Sequence, residues 1–244
     1  MIFFAMPIQK RNSKERKILS DQFSKIQGLV VRSAKQGDCN RILKIATENG
    51  DIDAIVYTCA KPKSPLIFLN EPFIYADFEL KKGKGDLPQI SSANLIKNFY
   101  NIRLSIEKVE IAAEICRIVE KTIVPNEDFP LPFVLNTLHI LESADDQKSQ
   151  IILPFFTLRL LNELGFPIDI SINDQTSSRT STPYMACAIR DPQSVRSTTE
   201  ESSLFTHIQS SPISRLYNAH LAPETLSELT LFAKSTLENI ISLK

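Results

Sequence analysis

Between residues 28 and 93 the chain sets down five short runs rich in strand-forming residues: GLVVRSA, NRILKIAT, DAIVYTCA, PFIYADFEL and LPQISSA. Turn signals separate them, namely Gly37-Asp38, Asn49-Gly50-Asp51, the segment from Pro62 to Pro65, and Gly83 to Asp86. In the fourth run Ile74, Ala76, Phe78 and Leu80 alternate with Tyr75, Asp77 and Glu79, the period of a strand buried on one face. Five short strands are too few for a two-sheet sandwich and suit a small barrel, whose closure removes exposed edges.

After Ala93 the period becomes helical. In SIEKVEIAAEICRIVEKTIV, residues Val109, Ala112, Cys116, Val119 and Ile123 share one helix face, and Pro125 ends the run. LPFVLNTLHILES and IILPFFTLRLLNELG predict two further helices, the second stopped by Gly165, and a last helix opens at Pro223-Glu224. Residues 171–203 are rich in Ser and Thr without period and predict a polar insertion. The fold class expected is therefore α+β: a basic, flexible extension over residues 1–24, a barrel over 25–93 and a helical domain over 94–244.

Catalytic arrangements are missing from the sequence. His139 sits in an apolar helical run, His207 and His220 have no nucleophile spaced for them, and neither G-x-S-x-G nor H-E-x-x-H occurs. Gly83-Lys84-Gly85 is followed by Asp86 and a strand, whereas a phosphate-cradling loop needs Lys-Ser or Lys-Thr and a helix. It predicts a hairpin turn. The four cysteines (Cys39, Cys59, Cys116, Cys187) form no close pair, as expected of reduced thiols in a cytoplasmic protein without metal or other cofactor. MIFFAMPI is too short and unflanked for a secretory leader, and no run suffices for a membrane span. A non-enzymatic role is expected.

Formal net charge is zero, but its distribution is uneven. Residues 1–94 carry 15 basic and 10 acidic side chains, and residues 95–244 carry 13 and 18. Arg32, Arg41 and Lys44 fall on the first two strands, Lys61 and Lys63 in the third connection, and Lys81, Lys82 and Lys84 in the last turn. Cations on the faces and loops of a small barrel are what backbone phosphates require, so these eight are the candidate DNA contacts. Tyr57, Tyr75 and Phe73 are the candidate stacking aromatics. The alternatives left open are an ordinary solvated surface and a protein-interaction scaffold that binds DNA weakly.

The order of four segments resembles the RecO family of bacterial recombination mediators. GLVVRSAKQGDCNRILKIATENG is similar to its first two strands, and NEPFIYADFELKKGKGDLPQISSANLIKNFYNIR to its Q-P-F…E-L…G-x-G-x-L…L-x-x-F-Y-x-L-R pattern. FFTLRLLNELGFPID resembles F-E-L-R-L-L-x-x-L-G-Y, and SPISRLYNAHLAPETLSELTLFAKSTLENIISLK the C-terminal connector and helix. The resemblance implies an N-terminal OB-fold and a C-terminal helical domain that bind single- and double-stranded DNA and anneal complementary strands. It further implies engagement of the C-terminal tail of single-stranded DNA-binding protein and, with RecR, the loading of RecA. The chain departs from the pattern twice. Many relatives carry four zinc cysteines where residues 166–215 hold only Cys187, and the basic loop after the third strand is reduced to CAKPKSPL.

An acidic tail ending in an apolar residue and its carboxylate would need an apolar pocket rimmed by cations. In the acidic half, Arg103, Arg117, Lys121 and Arg159 are the cations to weigh. Arg117 and Lys121 share a helix face, and Arg159 lies in the family-like segment. The expected peptide site is Arg117, Lys121 and Arg159, with Leu158 and Leu161 as wall. The alternative is that Arg117 and Lys121 only pair with Glu114 and Glu120.

Overall fold

The structure is a computed structural model, and it describes residues 24–57, 63–83, 85–166 and 223–242. The N-terminal extension, the polar insertion, Lys61, Lys84, Cys59, Cys187, His207 and His220 lie outside the described residues. Five strands, β1 (Ser24–Gln36), β2 (Asn40–Thr47), β3 (Gly50–Val56), β4 (Tyr75–Lys81) and β5 (Gln89–Lys97), close into a barrel in the order β1-β2-β3-β5-β4. All neighbours are antiparallel except β3 and β5, which meet in parallel where Ile55 pairs with Gln89. This closure is that of a five-stranded OB barrel.

Its interior is filled as the alternation predicts. Ile74, Ala76, Phe78 and Leu80 are buried together with Leu43, Ile45, Ala54, Val56 and Ile90. β4 starts at Tyr75 rather than Pro72 because Phe73 takes a left-handed φ of 59°, which no strand accommodates. β5 runs on past Ala93 to Lys97; its consecutive Leu95 and Ile96 break the alternation and are exposed. A register shift in β1 between Val30 and Arg32 bends that long strand, so its first half pairs with β4 and its second with β2.

The helices are α1 (Ile106–Thr122), α2 (Leu131–Ser143), α3 (Asp146–Ser149), α4 (Ile152–Glu163) and α5 (Pro223–Ser242). Ser105 caps α1, its hydroxyl accepting from the Lys108 amide. α1 buries more than the stripe read from its sequence. Ile111, Ile115 and Ile118 join Ala112, Cys116 and Val119, because α1 is covered on several sides. The helical core also takes in Leu29 and Ala46 from the barrel, so one apolar cluster spans the two parts of the fold.

Two devices hold the barrel on the helices. Gly50 has φ +96°, and a Cβ there would lie 2.4 Å from the Val124 carbonyl oxygen and 2.6 Å from the Asn126 nitrogen. The β2–β3 turn can therefore approach the α1–α2 loop only through glycine. Beside it the Phe129 amide donates to the Glu48 carbonyl at 2.8 Å. On the other side Arg103 pairs with Glu71 and donates to the carbonyls of Pro72 (2.9 Å) and Asn98 (3.1 Å). It thereby ties together the corners at Phe73 and Phe99, both left-handed and both buried.

Candidate functional site

Strand register places the basic residues in two turns linked across the end of β3. Lys35 of β1 pairs with Arg41 of β2, which pairs with Val56 of β3. One step away Ile55 pairs with Gln89, and Gln89 with Lys81. Because β1 and β4 run antiparallel, the β1–β2 turn and the β4–β5 hairpin lie at opposite ends of that pair, and the end of β3 links them into one basic rim, built from the loops through which OB barrels take oligonucleotides. Lys35, Lys63, Lys81 and Lys82 are exposed, and half-exposed Tyr57 follows Val56 directly. Lys35 is absent from the sequence reading, since only the β1–β2 register shows that it opposes Arg41.

The hairpin is a turn and not a phosphate cradle. A Cβ on Gly83 would meet the Leu87 carbonyl oxygen at 2.0 Å, so glycine here lets the loop fold back on its own backbone. Of the other aromatic candidates, Phe73 is buried, and the Tyr75 hydroxyl donates to Gln27 Oε1 at 3.1 Å. Burial, with the Glu48 and Asp77 carboxylates adding, raises the Tyr75 phenol above its ordinary pKa.

Arg32 is exposed as expected, whereas Lys44 is mostly buried. They oppose each other in register, an unfavourable arrangement for like charges unless carboxylates answer them. Here they do. Arg32 Nε lies 3.1 Å from Glu120 Oε1 of α1, and Lys44 Nζ lies 2.7 Å from Asp51 Oδ2. Lys44 and Asp51 are only 17% and 7% exposed at their side chains. Arg32 thus bridges the seam between the barrel and α1, and Lys44 is held within the barrel wall by β3.

A groove of about 370 Å3 runs between α1, α4 and α5. Arg117 and Lys121 line it, with Lys234 of α5 as a third cation. Its apolar wall is Ile118, Leu153, Pro154, Leu237 and Ile241. Glu114 also lines the groove and is paired with Arg117, the alternative the sequence left open. The expected wall is corrected: Leu158 and Leu161 are buried in the core and are not among the groove's lining residues. Arg159 does not line it either and pairs with Glu163 at 3.1 Å. Thr157 faces the groove, and at 3.6 residues per turn Arg159 sits about 200° around α4 from it. α4 is buried nearly all round, so apolar neighbours in sequence were no guide to a wall.

Two thiols fall among the described residues, and they differ. Cys39 is partly exposed beside the β1–β2 turn, whereas Cys116 is buried and its pKa is pushed up to about 12 by desolvation, with Glu120 adding. His139 is exposed on α2, its Nδ1 3.8 Å from Glu142 Oε2. Among the described residues no helix is long and apolar enough to cross a membrane.

A closed five-stranded barrel with a basic loop rim, packed on a helical domain with its own cation-rimmed groove, defines an OB-type binding protein. The family models for the N- and C-terminal parts of recombination protein O match residues 22–99 and 103–242. The chain belongs to the recombination protein O family, which places it among proteins of DNA repair and recombination. It is 33% identical over 147 residues to the DNA repair protein RecO of Acetivibrio thermocellus, covering 59% of this chain and 58% of that protein. It is 24% identical to the proteins of the same name from Staphylococcus haemolyticus (84% of this chain, 87% of that one) and Bacillus subtilis (84% and 85%). In the Acetivibrio comparison the match thus spans less than two thirds of the relative's length.

Proposed function

We propose that this protein is a recombination mediator that holds DNA backbone on the barrel rim and a partner's acidic tail in the helical groove. The observation carrying the first half is the placement of Lys35 and Arg41 at the β1–β2 turn and of Lys81 and Lys82 at the β4–β5 hairpin, two loops linked across the end of β3. Such a row neutralises phosphates without reading bases, so binding would be salt-dependent and indifferent to sequence. Both single strands and duplexes would bind, which suits the annealing of complementary strands. Lys61, Lys63 and Lys84 complete the proposed set.

The groove supports the second half. Arg117, Lys121 and Lys234, together with Glu114 and Glu238, line an apolar groove suited to the carboxylate-terminated tail of single-stranded DNA-binding protein; among the described residues only Glu114 of these two carboxylates is paired to one of the three cations. Cooperation with RecR in loading RecA is the role that such a two-site protein would serve on coated DNA.

The test is fluorescence anisotropy with labelled single-stranded DNA across a salt series. Joint replacement of Arg41, Lys63, Lys82 and Lys84 by Ala should flatten the salt slope by about one unit per lost contact. A folded quadruple variant that binds like wild type removes the rim, and a wild type that binds no DNA leaves an interaction scaffold. For the groove, calorimetry with an acidic, carboxylate-terminated peptide should show binding that Arg117→Ala/Lys121→Ala abolishes and Arg159→Ala preserves. Equal affinity in all three proteins excludes the groove.

A further inference from the structure

A second cavity of about 370 Å3 lies between β1 and α1, off the barrel rim. That is within the range of small-ligand pockets. The geometry points to a pocket for a single unstacked nucleotide of a DNA strand held on the rim; this inference rests on the DNA-binding reading above.

The charges of the cavity decide the chemistry. Three charged residues line it: Arg32, Arg41 and Glu71. Glu71 is answered by Arg103, and Arg32 by Glu120. Arg41 is held differently. Its Nε donates to Asn70 Oδ1 at 2.6 Å and its Nη1 to Ser33 Oγ at 3.2 Å, both neutral acceptors. A guanidinium oriented by neutral groups keeps its full charge for an anion, and its planar fork suits phosphate. Arg41 also stands in the rim's register row between Lys35 and Val56, so cavity and rim share a residue. A strand lying along the rim would thus place one phosphate at Arg41 with the attached base beside the cavity.

The remaining lining receives a base. Val31, Val109 and Ala113 supply aliphatic surface, and the Ser33 hydroxyl, which accepts from Arg41, can still donate to a base. A base in a duplex can enter only by unpairing and unstacking, whereas a single strand has little to give up. The cavity therefore confers preference for single strands on a rim that is by itself indifferent.

Ala113 allows a test that leaves the rim intact. It lines the cavity from α1 yet is exposed on the helix surface, so a larger side chain fills space without disturbing the core. Anisotropy is measured on the full chain with a labelled single strand and with the duplex of the same sequence. A second readout is the fluorescence of 2-aminopurine placed within the single strand. Ala113→Phe should weaken single-strand binding about tenfold, the scale of one lost base contact, and leave duplex binding within twofold. The 2-aminopurine signal should rise on binding to wild type and not to the variant. Ala113→Leu serves in its place if the phenylalanine variant melts early. Single-strand affinity unchanged in the variant, or single-strand and duplex affinity falling together, overturns the pocket while the rim stands. A wild type that binds neither form overturns both.

Discussion

Arg41 and Lys44 lie three residues apart on β2 and end in opposite surroundings. Arg41 sits at the barrel's open end, oriented by Asn70 and Ser33. Lys44 points to the outer face of the barrel, opposite its buried neighbours Leu43 and Ile45, as strand alternation requires. There it meets Asp51 in a mostly buried pair, while its cross-strand neighbour Arg32 meets Glu120 of α1. What separates the cation proposed to bind DNA from the structural one is the carboxylate that packing brings against the latter. Both are cations of the same strand. The difference can be broken from either side, by loosening the packing or by stripping the rim.

The largest effect should come from Gly50→Ala. A methyl group would collide with the Val124 carbonyl and the Asn126 amide, on a residue already in the left-handed region. We expect a loss of roughly 3 kcal/mol of stability in urea denaturation. An unchanged midpoint would show that the α1–α2 loop does not press on the β2–β3 turn.

Next is Lys44→Ala, which leaves Asp51 buried without its cation. Asp51 Oδ1 and Asp53 Oδ1 are already buried without hydrogen-bond partners among the described residues, and Asp53 lies opposite Lys44 in register. Removing one partner of such a pair costs more than the pair contributes, and roughly 2–3 kcal/mol is expected after allowing for the partial exposure of Lys44. DNA affinity of the folded variant should stay within twofold of wild type. A large loss of DNA binding at full stability would move Lys44 from the barrel wall to the ligand surface.

The rim should behave in the opposite sense. Lys81→Ala/Lys82→Ala removes two exposed cations, so stability should change by no more than about 0.5 kcal/mol. DNA affinity should fall at low salt, and the salt slope should drop by about one unit per lysine. A double variant that loses stability and keeps its DNA affinity would erase the distinction between the two sets.

How far these roles were legible in the sequence follows from the same physics. The strands of the barrel and four of its helices could be read because each buries its own periodic face, as Ile74, Ala76, Phe78 and Leu80 do. The rim was partly legible, through turn chemistry at Gly83 and the lysines around it. The seam was not. Arg32–Glu120 joins residues far apart in the chain, and no local pattern marks the pair. The same holds for Lys234 on α5, which reaches the groove beside Arg117 and Lys121 of α1. Leu158 and Leu161 show the converse error, because helix neighbours of a cation were read as pocket wall on a helix with almost no solvent face.

The most local contrast concerns Cys116, which sits where α1 meets the cavity beside β1, against Cys39 near the rim turn. The thiolate is the reactive form, and burial together with the nearby Glu120 carboxylate raises the Cys116 pKa to about 12. Iodoacetamide at pH 8 should therefore label Cys39 in the native protein and leave Cys116 unmodified, with both labelled in urea. The sign for stability follows from linkage. The unfolded thiol ionises near its ordinary value while the folded one stays protonated, so its contribution is intact below that range and is lost as pH rises toward about 12. Urea midpoints at pH 8 and pH 10 should fall less steeply with pH in Cys116→Ala than in wild type. Equal slopes in the two proteins, or prompt native labelling of Cys116, would mean that the packing of α1 against the barrel admits water at this position.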